Sequence, residues 1–445
     1  MKRVVLLFIA CVATLFASAE TLAEKLHANP DLIFPAYRTY IEPCEKIAKA
    51  PKGYKPCGMT MYARHGSRYD VDTISLHRAA KVLRLADKEG ILTPLGKEIK
   101  SFVEDAKVAH GNHTHELSEL GYEQHRKLAY RVYKNFPELF RRGATIKAAS
   151  SLVLRCVFSM NSFGEGLKEM EPSLRFSPRA GVAEQVLTRP EWKKSPLAPS
   201  DHATAKKYRV RGPWYDILKG WEREQSYEGS LAHLVTDVKR LREVTRYNDH
   251  DMTIAIAKAM AFSANYYKSG NELVRRFVTP DDILKLYKHD NYRWNEIVVN
   301  VEKPIVAYNF LRCKAMMEDI IENGNNSFEG KADASAYLRF THDSYTVPIG
   351  LILGMEGFRG RNTTVDDAHN TIRISDRLCM AMNYQFIFYR NKEGKRLVRV
   401  LLNERDLLLP IEGAEGPFYE WQVFCNHILA PFVEFENSLK KRLLQ

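Results

Sequence analysis

Three short stretches of the chain combine β-prone residues with a polar end. "GMTMYARH" alternates small and β-prone residues and runs into Gly66, which predicts a strand followed by a turn. "TIKAASS", which ends at Ser151, and "AYLRFTHD", which ends at Asp343, predict two further strands. A histidine or an arginine lies close to each of these three strand ends.

Other stretches have the periodicity of helices. "LVLRCVFSMNSFGEGL" predicts a helix after the second strand, and "YTVPIGLILGM" predicts one after the third, with Asp343 or Ser344 as its N-cap and Pro348 in its first turns. "NYQFIFYR", the turn "NKEG" and "KRLVRVLLNE" predict a hairpin. The last segment, from about Trp421 to Gln445, is also expected to be helical.

The middle of the chain differs from its two flanks. It contains long, charged, helical stretches such as "MTIAIAKAMAFSANYY" and "PDDILKLYKHD". We therefore predict an α/β core formed by residues 20–167 and 331–445, interrupted by a mainly helical cap insertion over 168–330. In such a fold, ligands bind beyond the carboxyl ends of the strands.

The amino terminus has the pattern of a secretory signal. "MKR", the apolar run "VVLLFIACVATLF" and "ASA" predict cleavage after Ala19, so that residues 1–19 are a signal peptide and the protein is exported to the periplasm or the medium. A membrane anchor is the alternative, but this apolar run is short for a span. No later stretch reaches spanning length, so no membrane span is expected in the mature chain.

Charge narrows the choice of partners. The formal net charge is +12, and loss of Lys2 and Arg3 with the leader reduces it to +10, which favours anionic partners. The basic residues are dispersed and form no nucleic-acid-binding signature, so phosphorylated small molecules are better candidates than nucleic acid. Oligomeric state cannot be inferred from these patterns.

Six cysteines remain after the leader, and an exported protein could form disulfides among them. Cys44 and Cys57 are the closest couple, although buried thiols are an equally good interpretation. The six form no C-x-x-C pair, so no zinc site is predicted from them.

The candidate chemistry is concentrated in Arg64-His65-Gly66-Ser67-Arg68. Because Gly66 allows close backbone approach, we expect His65 to present its imidazole at the sheet edge, between two guanidinium groups. Guanidinium groups match the oxygens of a phosphoryl group through paired, charge-assisted hydrogen bonds. They also neutralise the charge that develops on those oxygens during transfer.

These residues resemble the R-H-G-x-R signature of the histidine phosphatase superfamily, specifically its second branch of acid phosphatases and phytases. "LSELGYEQ", "SSLVLRCVFSMNSFGEGL", "LRFTHDSYTVPIGLILGM" and "VRVLLNE" are similar to further elements of that branch, in the same order. The multiple inositol polyphosphate phosphatases are the most similar subgroup. The resemblance implies a phosphoglycerate-mutase-like sheet flanked by helices, with a helical cap.

The resemblance also implies roles for individual residues. His65 would be the nucleophile that forms a phosphohistidine, and Asp343 the acid that protonates the departing alkoxide. Arg64, Arg68, Arg155 and His342 would bind the phosphoryl group, and the reaction would need no metal or other cofactor. One motif departs from the subgroup, because His342-Asp343-Ser344 stands where its members usually have H-A-E. Asp343 follows the pattern of the acid phosphatases and bacterial phytases instead.

Two of these assignments have structural alternatives. An aspartate at a helix start is commonly only a cap, and Arg155 lies on a helix whose spacing could reflect core packing. The predicted function is phosphomonoester hydrolysis, with inositol polyphosphates such as phytate as substrates. A broad acid phosphatase acting on sugar phosphates, and a phosphate-binding relative without turnover, are the alternatives.

Overall fold

One mixed sheet organises the fold. The computed structural model describes residues 20–44, 47–71, 73–190, 202–303, 306 and 310–443. Within them, the sheet contains β1 Lys55–Arg64, β2 Thr145–Ser150, β3 Arg175–Arg179, β4 Ala336–Thr341, β5 Asn383–Arg390, β6 Arg396–Leu402, β7 Arg405–Asp406 and β8 Phe418–Glu420. The strand order is β3-β2-β4-β1-β5-β6-β7, and β8 pairs with β6. The three strands predicted from alternation and the predicted hairpin, β5–β6, are all present.

The register of the strands brings their carboxyl ends together. β3, β2, β4 and β1 are parallel neighbours, and Arg64 at the end of β1 lies opposite Thr341 at the end of β4. Ser150 at the end of β2 lies opposite Phe340. The residues that follow these three strands therefore meet at one edge of the sheet, where an α/β fold binds its ligands.

Helices cover both faces of the sheet and form a separate body beside it. In the described residues, the helices of at least seven residues are Leu22–Ala28, Ile74–Lys88, Pro94–His110, Glu119–Asn135, Leu154–Met170, His202–Arg211, Pro213–Glu224, Glu228–Leu234, Val238–Thr245, Asp249–Ser263, Asn271–Phe277, Pro280–Trp294, Lys314–Glu329, Asp343–Ile352 and Trp421–Leu443. Shorter helical turns are Pro30–Leu32, Pro35–Tyr37, Gln185–Thr188, Asn295–Val299, Ala368–Thr371 and Ile374–Asp376. The predicted α/β class, a sheet flanked by helices, is confirmed.

The two faces of the sheet bury alternate side chains. Met61 and Ala63 of β1 pack with the helices Glu119–Asn135 and Leu154–Met170. Tyr62, between them in sequence, belongs to the opposite cluster, which includes Met317 of another helix. This period of two is the pattern that a strand buried on both faces requires.

The helical body draws on two parts of the chain. Helices Ile74–Lys88 and Pro94–His110 share one apolar cluster with Asp249–Ser263 and Pro280–Trp294. The range 168–330 thus supplies much of this body, but it also contains β3 and the helix Lys314–Glu329, which packs on the sheet. The division of the chain into core and cap remains a prediction.

The helix after β4, Asp343–Ile352, begins at a residue that was predicted to precede it as the N-cap. His342 is the N-cap residue and makes no side-chain capping bond, and Asp343 is the first helical residue. The prediction of Asp343 or Ser344 as the cap is wrong, because the Asp343 carboxylate is bound to an arginine instead. Pro348 lies inside this helix, as expected.

Two further sequence predictions concern cysteines and membrane spans. Cys44 and Cys57 form no disulfide, and both are thiols in the structure. None of the helices in the described part of the chain is long and apolar enough to span a membrane. The predicted signal peptide, residues 1–19, lies outside the described residues.

Candidate active site

The loop after β1 is held from both sides. The His65 amide donates to the Thr341 carbonyl at 3.0 Å, and its own carbonyl accepts from Ala381 at 2.9 Å. A Cβ on Gly66 would lie 2.5 Å from the Gly121 carbonyl oxygen, so a side chain at this position would force the loop away from the helix Glu119–Asn135. Glycine at position 66 thus allows the close approach that fixes His65.

The "LSELGYEQ" element anchors the next residue of the loop. The Ser67 amide donates to Gln124 Oε1 at 2.8 Å, and Gln124 Nε2 donates to Ser67 Oγ at 2.9 Å. The Ser67 carbonyl accepts from the Ser118 amide at 3.0 Å, and Ser118 is also the N-cap of the helix that carries Gln124. This element therefore positions the loop and does not contribute the charged groups of the site.

The orientation of His65 is set by its own neighbour. His65 Nδ1 lies 2.9 Å from the Gly66 carbonyl oxygen, and the ring is buried. Because a carbonyl only accepts, Nδ1 carries the proton and Nε2 keeps its lone pair. Burial and the charges of Arg155 and Arg64 hold the pKa of His65 well below its usual value, so the imidazole is neutral. A neutral ring with a free Nε2 can act as a nucleophile.

Arg64, Arg68 and Arg155 surround this ring, and we call them the arginine cage. Each has a buried Nε without a hydrogen-bond partner among the described residues. Arg64 is fully buried and donates to the carbonyls of Cys379, at 2.9 Å, and Ala36, at 2.8 Å. These backbone contacts fix the guanidinium without neutralising it.

Burial and neighbouring positive charges lower the pKa values of Arg68 and Arg155. Burial, together with the charges of Arg155 and Arg64, lowers the pKa of Arg68 to about 10. Its guanidinium lies 5.2 Å from the centre of the Phe262 ring and donates to the Tyr69 carbonyl at 2.9 Å. Burial also lowers the pKa of Arg155. Buried like charges of this kind favour an anion between them.

His342 faces His65 across the site. Their ring centres are 5.6 Å apart. Arg155 Nη2 lies 3.5 Å from His342 Nδ1, and Ser151 Oγ lies 3.1 Å from His342 Nε2. Because a guanidinium only donates, Nδ1 is the acceptor and Nε2 carries the proton. Burial and Arg155 hold the pKa of His342 well below its usual value.

Asp343 brings the carboxyl group to the same site. Its Oδ2 accepts from Arg64 Nη2 at 2.7 Å and its Oδ1 from the Ser344 amide at 2.8 Å, while its side chain is 27% exposed. Burial alone would raise the pKa of this carboxyl, but Arg64, His342, Arg68 and the Ser344 amide outweigh it and lower the pKa. The structure thus brings all six sequence-predicted residues into one cluster, although it does not test their roles.

Four residues near the cluster were missed by sequence reasoning. Ser159 Oγ accepts from the Gly66 amide at 3.1 Å, and Ser151 contacts His342 as described above. Phe262 lies in the predicted insertion, and so does Arg189, whose charge helps to lower the pKa values of His342 and Arg155. The two serines lie within a quoted motif, whereas no local pattern distinguishes Phe262 or Arg189.

An aromatic cluster borders the cage on the side of Arg68. The rings of Tyr69 and Tyr266 stack with centres 5.2 Å apart, and His110 lies edge-on to both. Tyr37 contacts Phe262 with ring centres 4.7 Å apart. These rings, from the loop after β1 and from the helical body, form an apolar and hydrogen-bonding surface next to the cationic cage.

The arrangement can perform one kind of chemistry without a bound ion. A neutral imidazole can attack phosphorus, the cage can hold the charged oxygens, and a carboxyl can exchange a proton with the ester oxygen. Among the described residues, the one group of three side chains with metal-ligand geometry is Glu222, His250 and His289, and it does not include these residues. The site has the composition of a phosphoryl-transfer centre.

Comparison with known proteins agrees with this class. A model of the histidine phosphatase superfamily, branch 2, matches residues 58–403, and the chain belongs to that family. The resemblance predicted from the sequence motifs is therefore confirmed, as is the prediction of a phosphatase. No curated protein matches the chain in a sequence comparison.

Solved structures share the fold at low sequence identity. The Bifidobacterium longum multiple inositol polyphosphate phosphatase in complex with phosphate has a TM-score of 0.69 and 15% identity, covering 89% of this chain and 97% of its own. The same enzyme in complex with inositol hexasulfate has a TM-score of 0.68 and 14% identity, covering 90% and 98%. The phytase from D. castellii has a TM-score of 0.67 and 13% identity, covering 91% and 87%. At these identities the likeness shows the fold.

Proposed function

We propose that this protein hydrolyses inositol polyphosphates such as phytate through a phosphohistidine on His65. The observation that carries the proposal is the orientation of His65, whose Nδ1 is bound to the Gly66 carbonyl. This contact leaves the lone pair on Nε2, next to the arginine cage. A nucleophile with a lone pair, a neutral charge and cationic neighbours meets the requirements for attack on a phosphate dianion.

The proposed reaction has two steps. In the first, His65 Nε2 forms a bond to phosphorus, the bond to the ester oxygen breaks, and protonated Asp343 gives its proton to that oxygen. In the second, water attacks the phosphohistidine, the Asp343 carboxylate takes a proton from the water, and inorganic phosphate leaves. Arg64, Arg68 and Arg155 hold the phosphoryl oxygens throughout. His342 joins them when its Nδ1, which accepts from Arg155 in the free protein, gains a proton. Dividing the reaction in this way lowers each barrier.

Cations outside the cage support a polyanionic substrate. Arg189 lies close enough to affect the pKa values of His342 and Arg155, and Arg38 affects that of Cys379 beside Arg64. In the helical body, the charge of Arg293 acts on Tyr37, and the charges of Lys258 and Arg293 act on Asp290. A substrate with one phosphate would leave most of these charges unused, whereas several phosphates could each reach a cation. The related structure in complex with inositol hexasulfate agrees with this choice.

The aromatic cluster favours a second candidate. Tyr69 and Tyr266 could pack against the apolar face of a sugar ring, so sugar phosphates are the alternative substrates. Initial rates of phosphate release from phytate, glucose phosphates and an aryl phosphate distinguish the two. Inositol polyphosphatase activity predicts the highest kcat/KM with phytate, and a higher value with glucose phosphates would favour the alternative.

The nucleophile can be tested separately. We expect His65→Ala to abolish release from every phosphomonoester, because no other described imidazole has its free nitrogen in the cage. Acid quenching during turnover of ³²P-labelled substrate should recover label on His65 of the wild-type protein. Full activity of the variant, or label on another residue, would contradict this assignment. Retained sulfate binding by the variant would show that the cage remains folded.

The role of Asp343 predicts dependence on the leaving group. A general acid contributes about 10²- to 10⁴-fold when the leaving oxygen is strongly basic. Asp343→Asn should therefore reduce phytate turnover by about this factor and turnover of an activated aryl phosphate much less. Equal losses on both substrates would mean that Asp343 positions Arg64 and transfers no proton.

Export is part of the proposal. Its support is the basic start, apolar run and small-residue site before Glu20. Expression of the full chain, followed by amino-terminal sequencing of the protein outside the cytoplasm, should give a chain that begins at Glu20. A full-length chain retained in the cytoplasm would refute it.

A further inference from the structure

Three metal-ligand side chains meet inside the helical body, where the proposed reaction makes no use of them. Glu222 lies near the end of helix Pro213–Glu224, His250 in the first turn of Asp249–Ser263, and His289 on Pro280–Trp294. All three are buried, with 2%, 1% and 7% of their surfaces exposed. One ligand atom of each lies within 4.8 Å of the other two.

Direct hydrogen bonds do not account for this cluster. Glu222 Oε1 lies 3.0 Å from His289 Nε2 but 4.0 Å from His250 Nε2, which is too long for a hydrogen bond. His250 Nε2 is buried and has no partner among the described residues. A buried polar atom in this state is unfavourable unless something binds it.

The other nitrogen of His250 is already occupied. His250 Nδ1 lies 2.9 Å from the Tyr227 hydroxyl. If Nδ1 donates to that hydroxyl, the lone pair of Nε2 points toward a carboxylate, which requires a cation between them. If Nδ1 accepts instead, the proton on Nε2 remains without an acceptor in reach. A cation bound to Nε2 resolves this conflict. The Tyr227 hydroxyl then accepts the proton of Nδ1 in a hydrogen bond, as second-shell partners of metal-bound histidines do.

We propose that Glu222, His250 and His289 bind one divalent transition-metal ion of the zinc class. Two imidazoles and one carboxylate form a donor set that zinc uses, with water completing four-coordination. At bond lengths of about 2.0–2.1 Å, ligand atoms around a tetrahedral ion are about 3.3 Å apart. The observed separations of 3.0 and 4.0 Å lie on either side of this value, so small side-chain rotations would close the site.

Nearby charges determine how an ion could enter. The Lys219 ammonium contacts Glu222 Oε2, and its side chain is 33% exposed. An entering ion would take over this carboxylate while the ammonium moves into solvent. Metals bind the neutral imidazole, and the Tyr227 hydroxyl at Nδ1 allows His250 Nε2 to offer its lone pair to the ion. The charge of Lys258 acts on both histidines, so it would repel the ion and limit its affinity.

The ion would join three helices of the body that borders the catalytic site. It is a structural site, and its existence does not depend on the substrate proposed above. It also lies outside the catalytic cluster, so removal of the ion should leave the chemistry of His65 intact.

Metal binding by the whole purified protein tests the proposal. The protein is stripped with a chelator and titrated with ZnCl₂ by calorimetry, and with CoCl₂ by visible spectroscopy. We expect one ion per chain and the intense bands of four-coordinate cobalt. His289→Gln keeps a donor for Glu222 but should weaken zinc binding more than about 100-fold, since loss of a second-shell partner alone costs 10- to 100-fold. Tyr227→Phe removes only the partner of His250 and should weaken binding by about 10- to 100-fold.

A surface histidine provides the control. His113 lies 2.8 Å from Glu116 but is exposed, so His113→Gln should bind zinc like the wild type. Absence of a stoichiometric ion in the wild-type protein would overturn the proposal, and so would unchanged zinc binding by His289→Gln. If circular dichroism shows that His289→Gln is unfolded, His250→Gln and Tyr227→Phe decide. Zinc should raise the Tm of the wild-type protein but not that of His250→Gln, and an equal rise in both would overturn the site.

Discussion

Binding of a dianion in the arginine cage is expected to transfer a proton from solvent to Asp343. In the free protein the carboxylate is held ionised by Arg64, at 2.7 Å, and by His342, Arg68 and the Ser344 amide. A dianion among the same guanidinium groups would compete for them and would repel the carboxylate. Protonation removes that repulsion and prepares the acid that the first step requires.

The size of the effect follows from the separation expected between the carboxylate and a dianion held by the same guanidinium groups. At an effective dielectric constant of about 20, two unit charges about 4 Å apart interact by about 4 kcal/mol. Repulsion of that size increases the proton affinity of the carboxyl about 10³-fold, since about 1.4 kcal/mol corresponds to a factor of ten. The carboxyl, which is ionised in the free protein, should therefore bind its proton in the complex at a pH about three units higher than in the free protein.

Calorimetry with inorganic sulfate measures this proton. Sulfate stays fully ionised near pH 5, so any proton taken up goes to the protein. Titrations in two buffers of different ionisation enthalpy give the number of protons bound per anion. His65 and His342 have lowered pKa values and also gain proton affinity, so the decisive quantity is the difference between wild type and Asp343→Asn.

That difference should approach about one proton per sulfate at an acidic pH where the carboxyl is ionised only in the free protein. It should decline as the pH rises above the pKa of the carboxyl in the complex. Asp343→Asn removes the carboxyl and keeps both histidines. Equal proton uptake by the two proteins throughout the acidic range would refute the reasoning, since the proton would then reside on the imidazoles alone.

Two other substitutions separate positioning from charge. Gln124→Ala leaves the buried Ser67 amide without its acceptor; it should cost about 1–3 kcal/mol in the free energy of unfolding and lower kcat on every substrate by up to about 100-fold. Urea denaturation and parallel assays with phytate and an aryl phosphate check this, and a loss confined to phytate would contradict it. Arg68→Met removes a buried charge whose pKa is lowered from 12.5 to about 10 by burial and by its neighbours. It should abolish sulfate binding while raising the free energy of unfolding by up to about 3 kcal/mol, since one pKa unit corresponds to about 1.4 kcal/mol. A destabilised variant would refute the second expectation.

Local sequence patterns predicted the edge of the sheet where the site lies. Alternation located β1, β2 and β4, and their parallel pairing then places His65, Ser151 and His342 side by side. The residue types within "ARHGSR" were sufficient to indicate phosphate chemistry. Two guanidinium groups next to an imidazole can bind the oxygens of a phosphoryl group while the imidazole reacts with its phosphorus. These inferences needed only neighbours in sequence or in the sheet.

The remaining parts of the site depend on long-range contacts. Arg64 is fixed by the carbonyls of Ala36 and Cys379, 28 and 315 residues away, and carbonyl groups leave no trace in residue type. The Asp343 cap was predicted wrongly because the competing partner, Arg64, is 279 residues distant. The cluster at His250 and His289 joins helices whose sequences indicate only that they are buried. Tertiary contacts determined these features.

The residues of the arginine cage that should bind the anion also destabilise the folded protein when no anion is bound. The three buried guanidinium groups have two acidic neighbours, Asp343 and, close to Arg68, Asp70, so positive charge is in excess. Each Nε remains without a partner among the described residues. A bound dianion supplies both the charge and the acceptors, and its binding must therefore stabilise the fold. Sulfate should raise the Tm of the wild-type protein, whereas Arg68→Met should start from a higher Tm and gain little from sulfate. If both proteins gained equally, the repulsion within the cage would not be the source of its affinity.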